Sequence, residues 1–475
     1  MFEKFLKFFW GVGLANVITI AGTVFMARLY TPESVAVGIL FLSVVNLFVL
    51  FFCMGFDQYY MREFQNYKKE QKSSLLGQSV KPVVVLFFVI FSLSFLIEGG
   101  FGISLFGVED HLLLRLSLLT ALFYALEKFA KLYFRMSEMP GIYSAVQIVR
   151  SFTQVVVLIF YGVKGFDYSG IIYSQLAASA VCFFLCLLLS PRLWLSAAVE
   201  LLRISPSRKF YGAAVLYVWP FIPYYFVSWA VQNGDRFYLK GHVDATSLGV
   251  YLMGVKLVGV AKVVQNAFST FVIPSAFRDF SELSKEALGT KYGRLFRASY
   301  DAVFVGCAMS VWLKPLWGAV LGAEYEALGA MLPLMLMTPA VYLLSEIPTV
   351  GISQSNKTYL HLYAGMASLG VLFVFLWILV PVSEVRGAVV AVFLSSLTFY
   401  GIRHWFGFKY FSIKISYVHF LGQGLLTIIL LFLALYSPSS YVLIFIVFAG
   451  LIIGSYSSLK ILSIATFNLL KRRFP

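Results

Sequence analysis

Apolar residues fill this chain in blocks of about twenty, the length a helix needs to cross hydrocarbon, and short polar connections separate the blocks. Short stretches of strict alternation, the mark of a membrane barrel, do not set the pattern. The blocks predict about fourteen helical spans, with about twelve as the alternative. They are centred near Ile20, Val45, Phe88, Leu122, Val155, Ala178, Phe221, Val260, Val311, Met337, Phe373, Phe393, Leu430 and Phe448. Two spans carry prolines: Pro220 with Pro223 in the seventh, and Pro333, Pro339 and Pro348 in the tenth. These either kink a packed helix or free carbonyls that line a cavity.

Composition agrees with lipid as the main solvent. Hydrophobic residues make up 60% of the 475 positions and charged residues 12%, with a mean hydropathy of +0.85. A soluble core could not bury that much apolar side chain. The net charge of +15 is unevenly placed. Lys4 and Lys7 precede the first span. Arg62, Lys68, Lys69, Lys72 and Lys81 fill the second connection, Arg192, Arg203, Arg208 and Lys209 the sixth, and the chain ends Lys471-Arg472-Arg473. Odd-numbered connections are poor in Lys and Arg. Both termini are therefore expected on the cytoplasmic side. The surplus charge reads as topology and contact with anionic lipid, not as nucleic-acid binding.

A repeat links two helix starts. Thr31-Pro32-Glu33-Ser34-Val35-Ala36-Val37-Gly38 follows the first span, and Asp244-Ala245-Thr246-Ser247-Leu248-Gly249-Val250-Tyr251 follows the seventh. Each offers a side-chain oxygen that can cap the next helix. The expected fold is thus an all-α polytopic membrane protein with two pseudo-symmetric six-helix bundles and an added C-terminal helix pair. The boundaries are 1–190 for the N-terminal bundle, 191–211 for a cytoplasmic connection, 212–408 for the second bundle, and 409–475 for the helix pair and basic tail.

Charges inside spans are the candidate chemistry, because each is costly in hydrocarbon. The fourth span places Ser117, Thr120, Tyr124, Glu127 and Lys131 along one face, with Lys128 beside them. The fifth carries Tyr143, Gln147, Arg150, Ser151 and Gln154, and the second offers Ser43, Asn46, Cys53 and Asp57. In the second half the stripes are Tyr225, Ser228, Gln232 and Asp235, then Lys262, Gln265, Asn266 and Ser269 with Lys256 nearby, and Tyr342, Ser345, Glu346 and Thr349. Neutral members suit interhelical packing. Arg150, Lys256 and Lys262 suit a wet cavity or an anionic ligand, since three deep cations repel one another. Arg28 and Lys131 lie near span ends, where snorkelling is open to them. Glu127 with Lys128 or Lys131, and Asp301 with a neighbouring Arg, are candidate ion pairs. Cys53, Cys182, Cys186 and Cys307 read as buried thiols with no metal role. A phosphate-binding Gly-x-x-x-x-Gly-Lys-Ser/Thr loop is missing, so no ATP hydrolysis is expected.

Two blocks then resemble a known family. Arg28-Leu29-Tyr30-Thr31-Pro32-Glu33-Ser34, with Met54-Gly55-Phe56-Asp57-Gln58 and Arg62-Glu63-Phe64, resembles the start of the polysaccharide-biosynthesis flippases. These are the O-antigen translocase branch of the multidrug/oligosaccharidyl-lipid/polysaccharide exporter superfamily. Asp235-Arg236-Phe237, Ser247 to Tyr251 and Lys256 look like the matching start of the second half. Ala36 and Gly38 depart from the family's usual Gly and aromatic, whereas Gly249 and Tyr251 keep them.

The resemblance implies a transporter and not an enzyme: a flippase moving an undecaprenyl-pyrophosphate-linked oligosaccharide across a bacterial inner membrane by alternating access. Arg150, Lys256 and Lys262 would meet the anionic head group, with Arg28, Lys131, Gln147, Gln265 and Asn266 as further contacts. No cofactor is expected; a proton or sodium gradient would act through Glu127, Asp57 or Glu346. Expected partners are the lipid-linked oligosaccharide, the bilayer, and polysaccharide polymerase and chain-length regulator proteins. The alternatives are a multidrug-type cation exporter, which would want acidic cavity residues, or a glycan polymerase, which would want a large outer loop.

Overall fold

A computed structural model describes residues 2–96, 105–202, 208–355, 357, 359–411, 413, 416–437 and 443–455. The elements described in it are helices. They form two compact units, Met1–Lys240 and Gly241–Pro475.

The first unit contains α1 (Phe2–Leu29), α2 (Pro32–Cys53), α3 (Phe56–Glu63), α4 (Lys72–Leu93), α5 (His111–Met136), α6 (Pro140–Val163) and α7 (Tyr168–Leu189). It also holds α8 (Pro191–Leu202), α9 (Arg208–Val218) and α10 (Phe221–Lys240). The last two pass as one span bent by 46°, and Pro220 and Pro223 lie at the bend. Proline removes an amide donor and pushes on the preceding turn, which accounts for a break at that point. In contrast, the three prolines of the tenth predicted span sit inside one continuous helix.

The helices approach closely where side chains are small. A Cβ on Gly22 would sit 2.5 Å from Val155, and one on Gly162 would sit 2.9 Å from Leu29. So α1 and α6 pack along their lengths. Thr19 and Ser151 share a hydrogen bond of 3.1 Å across that seam. The Tyr30 hydroxyl donates to the Leu158 carbonyl at 2.7 Å, which ties the last turn of α1 down. Gly38, the departure from the family pattern, faces Ile171 so closely that a Cβ would come within 2.6 Å.

The second unit comprises α11 (Ala245–Val258), α12 (Ala261–Glu282), α13 (Lys285–Met309), α14 (Lys314–Leu321), α15 (Leu328–Gln354), α16 (Tyr359–Tyr410) and α17 (Tyr417–Tyr436), with a shorter apolar helix, α18, at Leu443–Ser455. Its 52-residue α16 would be roughly 78 Å long if straight, over twice the bilayer core. The chain instead turns at Glu384, whose φ of 48° leaves the helical region. A Cβ on Gly387 would meet the Leu379 carbonyl oxygen at 2.3 Å, so the two arms fold tightly together.

Among the described residues, nine helices meet the length and apolarity needed to cross, or ten if the bent pair counts as one span. The expected count of about fourteen is not reached on those criteria, for visible reasons. Helix α5 carries Arg115, Glu127, Lys128, Lys131 and Arg135, too many charges for the criterion. The two arms of α16, expected as two spans, stand as one element in that number, and α18 is short. The described residues form an all-helical, multi-pass membrane protein.

The repeated helix starts share their geometry. Thr31 caps α2 at φ −66°, ψ 155°, accepting from the Ser34 amide at 3.4 Å. Asp244 caps α11 at φ −67°, ψ 159°, accepting from the Ser247 amide at 2.8 Å. The Ser247 backbone amide, with its hydroxyl, holds the Asp244 carboxyl below the usual carboxylate range.

Two outcomes follow from these contacts. Gly407→Ala would drive a Cβ to 2.3 Å from the Pro348 carbonyl oxygen between α15 and α16; a loss of about 1–3 kcal/mol is expected, read as a lower melting temperature in detergent. Asp244→Ala should cost ~1 kcal/mol. Because the folded pKa of Asp244 is depressed, that contribution is complete above the ordinary carboxylate pKa and fades as pH falls through the folded value. Melting curves of both forms should therefore converge in acid.

Candidate functional site

The strongest concentration of buried charge lies in the first unit, on α5 and its neighbours. Glu127 is fully buried. Lys131, one turn further along the same helix, places its Nζ 2.9 Å from Glu127 Oε1. Arg150 reaches across from α6 and donates to the other carboxylate oxygen, Oε2. The ring of Tyr124 covers both cations, 4.4 Å from the Arg150 guanidinium carbon and 5.9 Å from Lys131 Nζ. Spacing explains the convergence, since Tyr124, Glu127 and Lys131 are one turn apart on one face.

The count of charges matters here. One carboxylate faces two cations, whose side chains are 14% and 16% exposed. The cluster therefore keeps a net positive charge in a setting where a lone charge costs several kcal/mol. Glu127 makes that charge tolerable and the Tyr124 face adds cation–π attraction. A second pair stands beside it: Lys128, adjacent in sequence, turns to Asp57 on α3 at 2.8 Å. Asp57 is buried and also accepts from Gln58 Nε2 at 3.1 Å. The open choice of partner for Glu127 thus resolves to Lys131 and not Lys128. Lys131 is paired, not extended to a span end.

Other predicted residues fall elsewhere. Gln147 donates to the Tyr143 hydroxyl on its own helix at 3.4 Å. Arg28 is exposed in the last turn of α1. In the second unit, Lys256 is half-buried in the last turn of α11 and Lys262 is exposed at the start of α12. Gln265 donates to Glu346 at 3.3 Å, joining a predicted polar contact to a predicted coupling carboxylate. The Asn266 side chain lies outside the described residues. Neutral stripe members mostly serve their own helix: Ser117 and Thr120 bond the Leu114 and Leu116 carbonyls, both at 2.7 Å.

Some contacts were not legible in the sequence. Arg236 on α10 donates to the Ser43 hydroxyl of α2 at 2.7 Å, and Trp229 donates to the Ser43 carbonyl at 3.1 Å. Fully buried Asp301 meets His419 Nε2 at 2.8 Å, while Arg297 is 4.0 Å away. Only its contact with a buried carboxylate on another helix distinguishes this histidine.

The fold and this cluster define a class: an all-helical, multi-pass membrane protein with a net-positive ion network inside its first unit. A solved structure described as "Lipid II flippase MurJ, inward closed conformation" is similar at a TM-score of 0.69 and 13% identity, covering 95% of this chain and 99% of that one. An inward-facing multidrug resistance MATE family transporter is similar at 0.62 and 14%, covering 85% and 94%. The eukaryotic MATE transporter AtDTX14 is similar at 0.52 and 16%, covering 85% and 95%. No curated protein sequence matches. The chain belongs to the polysaccharide biosynthesis protein family, whose model matches residues 4–278.

The cluster makes a direct prediction. Glu127→Ala strands Arg150 and Lys131 without their counter-ion and should cost about 3–5 kcal/mol. Adding Arg150→Ala should recover part of that loss. A double-mutant cycle on unfolding in detergent checks it, and strictly additive costs would contradict the pairing.

Proposed function

We propose that this protein flips a lipid-linked oligosaccharide, an undecaprenyl-pyrophosphate-borne repeat unit of a surface polysaccharide, from the cytoplasmic to the periplasmic leaflet of a bacterial inner membrane. The carrying observation is the positive surplus at Arg150 and Lys131, buried in a family member with the fold of a lipid II flippase. An anionic pyrophosphate would compete with the Glu127 carboxylate for those two cations. Guanidinium binds phosphate oxygens in a bidentate manner, so Arg150 would fix the head group while Lys131 supplies a mobile point charge. Lys256, Lys262 and Arg28 are candidates for the same chemistry, and Gln147, Gln265 and Asn266 for contact with sugar hydroxyls.

Transport by alternating access needs a driving force, and ion coupling is part of the proposal. Glu346 suits a proton carrier better than Glu127 or Asp57. Its contact is with the neutral Gln265 amide, which survives protonation, whereas protonating Glu127 would break two ion pairs. Sodium at the same carboxylate is the other form of coupling. Polymerase and chain-length regulator proteins would act on the flipped product.

The MATE-like fold also suits a multidrug cation exporter, but the sign of the buried surplus opposes a cationic cargo. Arg150→Ala combined with Lys262→Ala should abolish surface polysaccharide while the protein remains in the membrane at its normal level. Surface glycan staining beside a membrane immunoblot reads both. Full glycan display by the double variant, or new drug sensitivity as the sole defect, would overturn the proposal.

A further inference from the structure

A cavity of about 270 Å³ opens in the second unit between α13 and the beginning of α17. Its polar lining comes from Thr290, Arg294 and Arg297 on one side and from Ser416 and His419 on the other, with the Phe420 ring among its apolar walls. Arg294 and Arg297 are three residues apart, so their guanidinium groups leave the same face of α13. Both residues are exposed.

The floor of this cavity is built, not incidental. Asp301 is fully buried beneath it and holds His419 Nε2 at 2.8 Å. Arg297, a turn before Asp301 on the same helix, has its Nε 4.0 Å from the other carboxylate oxygen. The carboxylate thus orients His419 from behind, with Arg297 at the outer limit of ion-pair distance. Among the described residues that line the cavity two carry guanidinium groups and none is acidic. The nearby cation Lys291 is engaged by Asp279 at 2.5 Å and faces a different partner.

Depth narrows the ligand. Trp405 on α16 is 74% exposed and Tyr417, at the start of α17, is 60% exposed. Such aromatics mark the level of the lipid head groups. Arg294 and Arg297 lie nine and twelve residues into α13 from Lys285, within about 14–18 Å of its start. A cavity at that level, beside a basic connection, meets the phosphates of one leaflet. The volume is below the ~300–1,000 Å³ of drug-sized sites, which suits a small anionic group.

We infer that this cavity is a binding site for phosphate-ester oxygens, presented by the head group of an acidic membrane phospholipid. Arg294 and Arg297 take the phosphate oxygens, Ser416 donates from its hydroxyl, and Phe420 covers the glycerol. The site uses helices other than those of the Glu127 cluster, so it stands or falls apart from the cargo reading.

The test uses the full-length protein in nanodiscs of phosphatidylcholine, with and without phosphatidylglycerol, and in phosphatidylcholine with added inorganic phosphate. Native mass spectrometry counts retained phosphatidylglycerol, and thermal melting reports stabilisation. The expected result is retention and stabilisation by phosphatidylglycerol, with binding roughly tenfold weaker in Arg294→Gln with Arg297→Gln. Lys285→Gln, an exposed cation on the same helix, should bind as the parent does. Melting in pure phosphatidylcholine confirms that the double variant is folded. Unchanged phosphatidylglycerol binding in that variant would overturn the site. Equal stabilisation by inorganic phosphate in pure phosphatidylcholine would assign the cavity to soluble phosphate and overturn the lipid assignment.

Discussion

A polar group in hydrocarbon has no solvent to turn to, so many hydroxyls and charges of these helices are answered from within the protein. Ser43, Thr120, Ser174 and Thr349 return their hydroxyls to carbonyls of their own helices. Tyr30 carries its hydroxyl, and Trp229 its indole N–H, across to a neighbouring backbone. Helices can approach this closely only where a glycine leaves room, as at Gly22, Gly162, Gly351 and Gly407. The same constraint that forces helices therefore dictates which residues lie between them.

Charges obey it too, at higher stakes. Glu127 serves two cations, and Asp57 serves a third from the same stretch of α5. Glu127 is the member on which this depends, since removing it leaves two cations without their counter-ion. It is also poised for exchange. A ligand of like charge to Glu127 can take its place without leaving any cation uncompensated, which makes a buried ion network compatible with binding and release.

The membrane class, the helical architecture and the family were legible because they depend on additive features: run length, total apolarity and two motif blocks. The shared cap geometry at Thr31 and Asp244 was visible for the same reason, being a matter of residues within one turn. The site was legible only in part. One-turn spacing put Glu127 beside Lys131, but the choice between Lys128 and Lys131 depended on which way α3 brought Asp57. Asp301 and His419 are separated by more than a hundred residues, and no periodicity can announce such a meeting. The tight turn at Glu384 was expected as two spans, because length alone forbids a single crossing.

That turn has a consequence for biogenesis. A reversal centred on one residue of positive φ, with Gly387 pressed on the Leu379 carbonyl, leaves almost no linker between the two arms of α16. So short a link couples the two arms, and entry into lipid as one helical hairpin is the expected outcome.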